Sequence, residues 1–167
     1  MSDILTKPQA KKLHFKTISR AKSGPKADSG VVSYCVHGPR GKRAFPPSKL
    51  VEALRVGLPV GELNYLQATL GVPMEKLVPM LGISKATFHR RKLAGRLNQA
   101  ESDRVLRYAR LMGRALEVME TQETARQWLT SPQFGLGGAI PLEYAETEVG
   151  AREVEDLLGR IEYGVYS

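Results

Sequence analysis

Cys35 and His37 are the residues whose types come nearest to covalent chemistry, a thiol beside an imidazole able to take its proton. They fall in and just after "VVSYCV" (Val31–Val36), a run that reads as a short strand. Two residues apart on a strand they share a face, with backbones roughly 6.6 Å apart. No third group is evident nearby to orient the imidazole, so the pair has no support as a nucleophile. His14 and His89 lie far away in sequence, and no histidine has a second ligand-type residue at a recognised metal spacing. A single cysteine excludes an internal disulfide and a four-cysteine zinc site. "GLGG" (Gly135–Gly138) lacks the Gly-Lys-Ser/Thr ending of a phosphate loop and follows no strand. The expectation is a protein that is not an enzyme, with no metal and no cofactor.

The residues that do form a pattern are basic. "LGISKATFHRR" (Leu81–Arg91) has the form of a helix-turn-helix: a turn containing glycine, a serine cap, then a short helix rich in cations. Leu77, Leu81, Ile83 and Phe88 would make the small core between its helices. Ser84 would cap the second helix, whose first turn enters the major groove of DNA. Lys85, Ala86, His89 and Arg90 then face the bases, while Thr87, Arg91, Lys92 and Arg96 are placed for phosphates. Arg90 reading guanine bidentately would supply on the order of 1–3 kcal/mol of discrimination. Pro79, inside the first helix, removes a hydrogen bond and is expected to disturb the docking angle.

Charge along the chain divides the same way. Residues 1–49 carry 11 Lys/Arg against 2 Asp/Glu, a net of +9, and residues 74–97 carry a net of +5. Residues 117–167 carry 3 against 10, a net of −7. A basic front half points to a polyanion such as DNA, which would repel the acidic back half, so the two halves suit different partners. No run approaches the roughly 18 apolar residues of a membrane helix, and no secretory h-region stands near the start. With one cysteine, a cytoplasmic location and no membrane association are expected.

The elements that position these residues read as helices. Residues 1–45, basic and broken by Pro8, Gly24, Pro25, Gly30, Gly38, Pro39 and Gly41, read as a poorly ordered arm. From Pro47 onward the pattern is helical. Leu50, Val51 and Leu54 share one face, and Leu63, Leu66 and Leu70 share another. A long helix from about Ser102 to Met119 keeps a 3.6-residue period through Val105, Tyr108, Ala109, Met112, Ala115, Leu116 and Met119. A helix after Thr121 has the face Ala125, Trp128 and Leu129, without the residues of a capping box. Pro141 opens a short helix, Thr147 caps the last one over Val154, Leu157, Leu158 and Ile161, and Gly164 stands where a glycine past a helix end belongs. Asp156 and Arg160 are spaced as an i, i+4 pair. The fold class is mostly α: a basic arm (1–45), a helix-turn-helix domain (46–100) and a small helical domain (101–167). Tyr163, Val165 and Tyr166 cluster at the last helix stop, either folded back on the core or inserted in a partner.

The ordered run "LGISKATFHRR", "GRLNQAESDRVLRYARL" and "WLTSPQFGLGGAIPLEYAETEVGAREVEDLLGRIEYGVYS" resembles the Xre/MbcA/ParS antitoxins, over about residues 55–167. The resemblance implies a protein that binds a cognate RES-domain toxin, which consumes NAD, and holds it inactive while its helix-turn-helix represses their shared operon. It implies toxin contacts among Gly137, Gly138, Pro141, Thr147, Gly150, Arg152, Glu153, Arg160, Tyr163, Gly164 and Tyr166. Trp128, Leu142 and Ile161 match too and suit the core better. Two positions depart from the family's pattern: Pro79 and the weakly basic loop at Phe134–Gly135. Binding operator DNA in this way is usually done by dimers on a palindrome, so a homodimer is expected. The alternative reading is a stand-alone helix-turn-helix transcription regulator whose C-terminal half only dimerises.

Overall fold

The computed structural model describes residues 30–38 and 45–165. His14 and Tyr166 lie outside them. Helices follow one another in chain order: α1 (Val31–His37), α2 (Pro47–Val56), α3 (Val60–Leu70), α4 (Met74–Met80), α5 (Lys85–Ala94), α6 (Gln99–Met119), α7 (Gln122–Thr130), α8 (Pro141–Tyr144) and α9 (Glu148–Glu162). A 3₁₀ turn, Phe134–Leu136, sits between α7 and α8. No strand occurs among the described residues; Pro59 and Arg96 form an isolated bridge.

α6 is the axis. It starts three residues before the expected Ser102, because Asn98 and Glu101 form a capping box: the Asn98 side chain accepts from Glu101 N at 2.7 Å and the Glu101 carboxylate accepts from Asn98 N at 2.8 Å. Val105, Tyr108, Ala109, Leu111, Met112 and Ala115 are buried along it, joining Leu63 and Leu66 of α3, Leu129 of α7 and Val154 and Leu158 of α9 in one core. Each large side chain buried in this way contributes roughly 1.5–3 kcal/mol. A single apolar cluster therefore serves both halves of the chain.

The strand expected at Val31–Val36 is a helix instead. Two causes override the β-branched composition. The Glu62 carboxylate from α3 accepts from the first backbone N–H groups of α1, Val31 N at 3.0 Å and Val32 N at 2.9 Å. Val31, Val32 and Val36 then bury one helical face in the main core. This part of the expected arm is thus integral to the fold. The face expected from Leu50, Val51 and Leu54 is partly correct: Leu50 and Leu54 pack on the core, while Val51 is turned to solvent.

The helix-turn-helix is α4 and α5. Leu77, Leu81 and Ile83 are buried between them, and Phe88 is half-buried. Gly82 takes φ +62°, letting Gly82 N donate to Pro79 O at 2.7 Å and Ile83 N to Val78 O at 3.1 Å, a Schellman closure. Pro79 falls in the last turn of α4, so the missing N–H costs one hydrogen bond at the helix end and its own carbonyl serves in the closure. The turn is held from α6, where Arg104 Nη1 donates to Leu81 O at 2.9 Å.

Candidate functional surfaces

The first turn of α5 is built by Ser84, whose side chain accepts from Thr87 N at 3.1 Å. Lys85, Ala86, His89 and Arg90 are all exposed, with the spacing of one helix face, and the first turn carries no acidic residue. Thr87 is half-buried beneath them. Lys92 lies with Nζ 5.1 Å from the Phe88 ring centroid, a cation–π contact.

Two cations expected at phosphates are engaged within the fold. Arg91 Nε donates to both oxygens of Glu101, at 3.1 and 2.8 Å, and Arg96 Nη1 donates to Gly57 O at 2.7 Å. Their part in the structure is to fix α5 against α6 and against the end of α2. The sequence reading missed Leu93, an apolar side chain 78% exposed on α5.

Cys35 and His37 stand two apart on a helix, so they no longer share a face. Burial pushes the Cys35 thiol up, partly opposed by the nearby Arg110. That is the direction opposite to an activated nucleophile. No group of His, Cys, Asp or Glu able to hold a metal occurs among the described residues. None of their helices is long and apolar enough to cross a membrane.

Beyond α6 the chain forms a small unit that packs on it. Thr121 caps α7 by accepting from Thr124 N at 3.2 Å, with no capping box, as expected. Arg126 ties α7 to the end of α3, donating to Thr69 O at 2.7 Å and Ala68 O at 2.6 Å. Tyr108 of α6 is buried with its hydroxyl 3.2 Å from Leu142 O of α8, and burial holds its pKa well above the ordinary phenol value.

The residues expected to touch a partner separate into two sets here. Pro141 is buried at the start of α8, Thr147 caps α9 by accepting from Gly150 N at 3.0 Å, and Gly150 is buried where a Cβ would collide with the Tyr144 carbonyl. Gly137 and Gly138 shape the loop after the 3₁₀ turn, where Gly138 N donates to Gln133 O at 2.9 Å. Gly164, φ +67°, closes α9 in a second Schellman turn, with Gly164 N to Ile161 O at 3.1 Å and Val165 N to Arg160 O at 2.9 Å. These residues set backbone shape.

Arg152, Glu153 and Tyr163 instead face solvent, Tyr163 being 79% exposed. Arg152 meets Glu148 at 3.5 Å across an exposed i, i+4 pair. Leu142 is core, while Trp128 and Ile161 are half-buried. The expected Asp156–Arg160 pair is not among the ion pairs of the described residues. Arg160 instead lines a groove of about 310 Å³ with Leu157, Ile161 and Val165 on one side and Phe134 on the other. Phe134 is 96% exposed; the sequence marked it only as part of a weakly basic loop, and the signal for an exposed surface feature was an aromatic residue next to glycines.

A helix-turn-helix with an open first turn, joined through one long helix to a small unit that shows aromatic side chains to solvent, is the architecture of a DNA-binding type of fold with an appended partner-binding module. Residues 49–110 match the antitoxin Xre-like helix-turn-helix domain, and residues 114–164 match the antitoxin Xre/MbcA/ParS C-terminal toxin-binding domain. The chain is 34% identical over 120 residues to an Antitoxin Xre from Yersinia enterocolitica, covering 71% of this chain and 81% of that one. It is 33% identical over 128 residues to an Antitoxin Xre from Photorhabdus laumondii, covering 74% and 86%. It is 25% identical over 135 residues to the Prs ADP-ribosylating antitoxin of a Sphingobium species, covering 75% and 84%. The chain belongs to the Xre/MbcA/ParS antitoxin family, with a helix-turn-helix domain and a toxin-binding domain.

Proposed function

We propose that this protein binds and neutralises a cognate RES-domain toxin that consumes NAD, and that its helix-turn-helix represses the operon encoding the pair. It acts in the cytoplasm as a homodimer, each protomer presenting one recognition helix to half of a palindrome. The observation that carries the reading is the surface of residues 114–164. Within a segment matched to a toxin-binding domain, Phe134 is left almost fully in water while lining an apolar groove, and Tyr163 is exposed as well. A fold that leaves a large aromatic side chain in water on the wall of an apolar groove has a surface suited to a partner.

The name of the Sphingobium relative links it to ADP-ribosylation, chemistry that draws its ADP-ribose from NAD, and this accords with an NAD-consuming toxin. The net −7 of residues 117–167 suits the cover of a cleft that accepts the phosphates of NAD. Arg152, Glu153, Arg160 and Tyr163 make the contacts, on a backbone shaped by Gly137, Gly138, Pro141, Thr147, Gly150 and Gly164. On DNA, Lys85, Ala86, His89 and Arg90 reach base edges. Ser84, Thr87 and Lys92 meet phosphates, and Arg91 and Arg96 hold the helix in place.

The test is NAD consumption by the purified RES-domain protein encoded beside this one, titrated with this protein. Loss of activity that is complete near a fixed stoichiometry supports the reading, and undiminished consumption at excess overturns it. Mobility shifts on the promoter of the pair, with the salt slope of binding, test the repression half.

A further inference from the structure

Buried donors in folded proteins almost always find acceptors. Arg160 Nε is buried and, among the described residues, nothing accepts from it. The side chain lies in the groove between the Phe134–Leu136 turn and the last turns of α9. The groove wall is mainly apolar, with Leu157, Ile161 and Val165 beside it and Phe134 across. The amide nitrogen of Gln133 is already turned to the carbonyls of Trp128 and Ser131, at 2.9 and 3.1 Å. Neighbouring acids do not neutralise the guanidinium: Asp156 is exposed and unpaired with it, and Glu162 is held by Arg114. An unsatisfied charged donor against an apolar wall is costly in the uncomplexed protein, and an incoming acceptor removes that cost.

We propose that this groove is a subsite for an acidic side chain of the toxin flanked by an apolar one. The carboxylate takes the Arg160 guanidinium, and the apolar neighbour fills the space between Phe134 and the Leu157–Ile161 side of α9. The inference rests on the reading of residues 114–164 as the toxin-binding surface. A carboxylate is the fitting group because the guanidinium offers parallel donors that match its two oxygens. A second copy of this chain seated groove against groove does not fit, since the two-fold axis would then set Arg160 against Arg160. Nucleic acid does not fit either: Arg160 is the one cation among the groove's described lining residues, and an apolar wall offers a run of phosphates nothing further to pair with.

The experiment is a double-mutant cycle on the full-length protein and the purified RES-domain toxin. It combines Arg160→Gln with alanine substitution of each toxin Asp and Glu, reading Kd by calorimetry and folding by circular dichroism. Wild-type protein that does not bind the toxin defeats the underlying reading, not only the subsite. Given wild-type binding, the expected result is a rise in Kd of about 30-fold or more for Arg160→Gln with unchanged helicity. One toxin carboxylate should then cost little further when removed in the Arg160→Gln background. Arg160→Glu should abolish binding, and replacing that same carboxylate with arginine should restore it. Additive losses at every carboxylate, or Arg160→Gln binding within twofold of wild type, overturn the subsite while leaving the antitoxin reading intact.

Discussion

Arg91 Nε on α5 stands 2.8 Å from Glu101 Oε2, the same oxygen that accepts the Asn98 backbone N–H at 2.8 Å. One buried carboxylate therefore caps the central helix and fixes the recognition helix to it. Glu101→Ala removes both functions and leaves Arg91 without its partner. It should lower stability by about 2–3 kcal/mol, read as a fall in the urea midpoint at unchanged slope. A change below about 0.5 kcal/mol would mean that α5 is held by its apolar contacts alone.

Arg90 is one residue earlier and exposed, with no role in that anchoring. Arg90→Ala should leave the melting temperature unchanged and weaken binding to the operator by about 1–3 kcal/mol, with lost discrimination at one base pair. Arg91→Ala should show the reverse order, a stability loss first. Competition with scrambled DNA separates the two. Equal effects on specific and scrambled DNA would make Arg90 a phosphate contact.

α1 reaches α6 closely enough that a Cβ on Gly113 would strike the Cys35 carbonyl. Gly113→Ala should push α1 away and cost roughly 1–3 kcal/mol, despite the better helix propensity of alanine. Hydrogen exchange at residues 31–37 reports it directly: their protection should fall well before that of α6. Unchanged protection would show that α1 accommodates the methyl group by a small shift.

Tyr108 gives a pH dependence. Its folded pKa is raised above the ordinary value of 10, chiefly by burial, so the folded state keeps a proton that the unfolded chain releases. Its contribution to stability is full below about pH 10 and declines as pH rises beyond it. At pH 7, Tyr108→Phe should cost about 1–2 kcal/mol, through the hydrogen bond lost to Leu142 O. The gap to wild type should narrow above pH 10. A constant gap across that range would show that the hydroxyl titrates normally.

The helices after Pro47 were legible because their signals are local. The 3.6-residue period, Thr121 and Thr147 as caps and Gly164 as a stop each act within a few residues, and each stands where the spacing predicts it. What was not legible depends on distant partners. Val31–Val36 has the composition of a strand, and only Glu62, some 30 residues on, and the face of α6 make it a helix. Arg91 and Arg96 look like phosphate ligands from their place on a basic helix, and their partners Glu101 and Gly57 are known only once the chain has folded. In the toxin-binding domain, the motif residues were found together but not sorted. Burial shows that Pro141 and Gly150 shape the backbone, and the cap bond to Gly150 N shows the same for the exposed Thr147, while Arg160 and Phe134 line the groove.

The central claim is that this protein relieves the toxicity of an NAD-consuming partner. Its most direct measurement is growth and NAD level in cells expressing the neighbouring RES-domain gene, with and without this protein. The account predicts that the neighbour alone arrests growth and drains NAD, and that co-expression restores both. A neighbour that is harmless, or whose toxicity and NAD loss persist beside this protein, would contradict it.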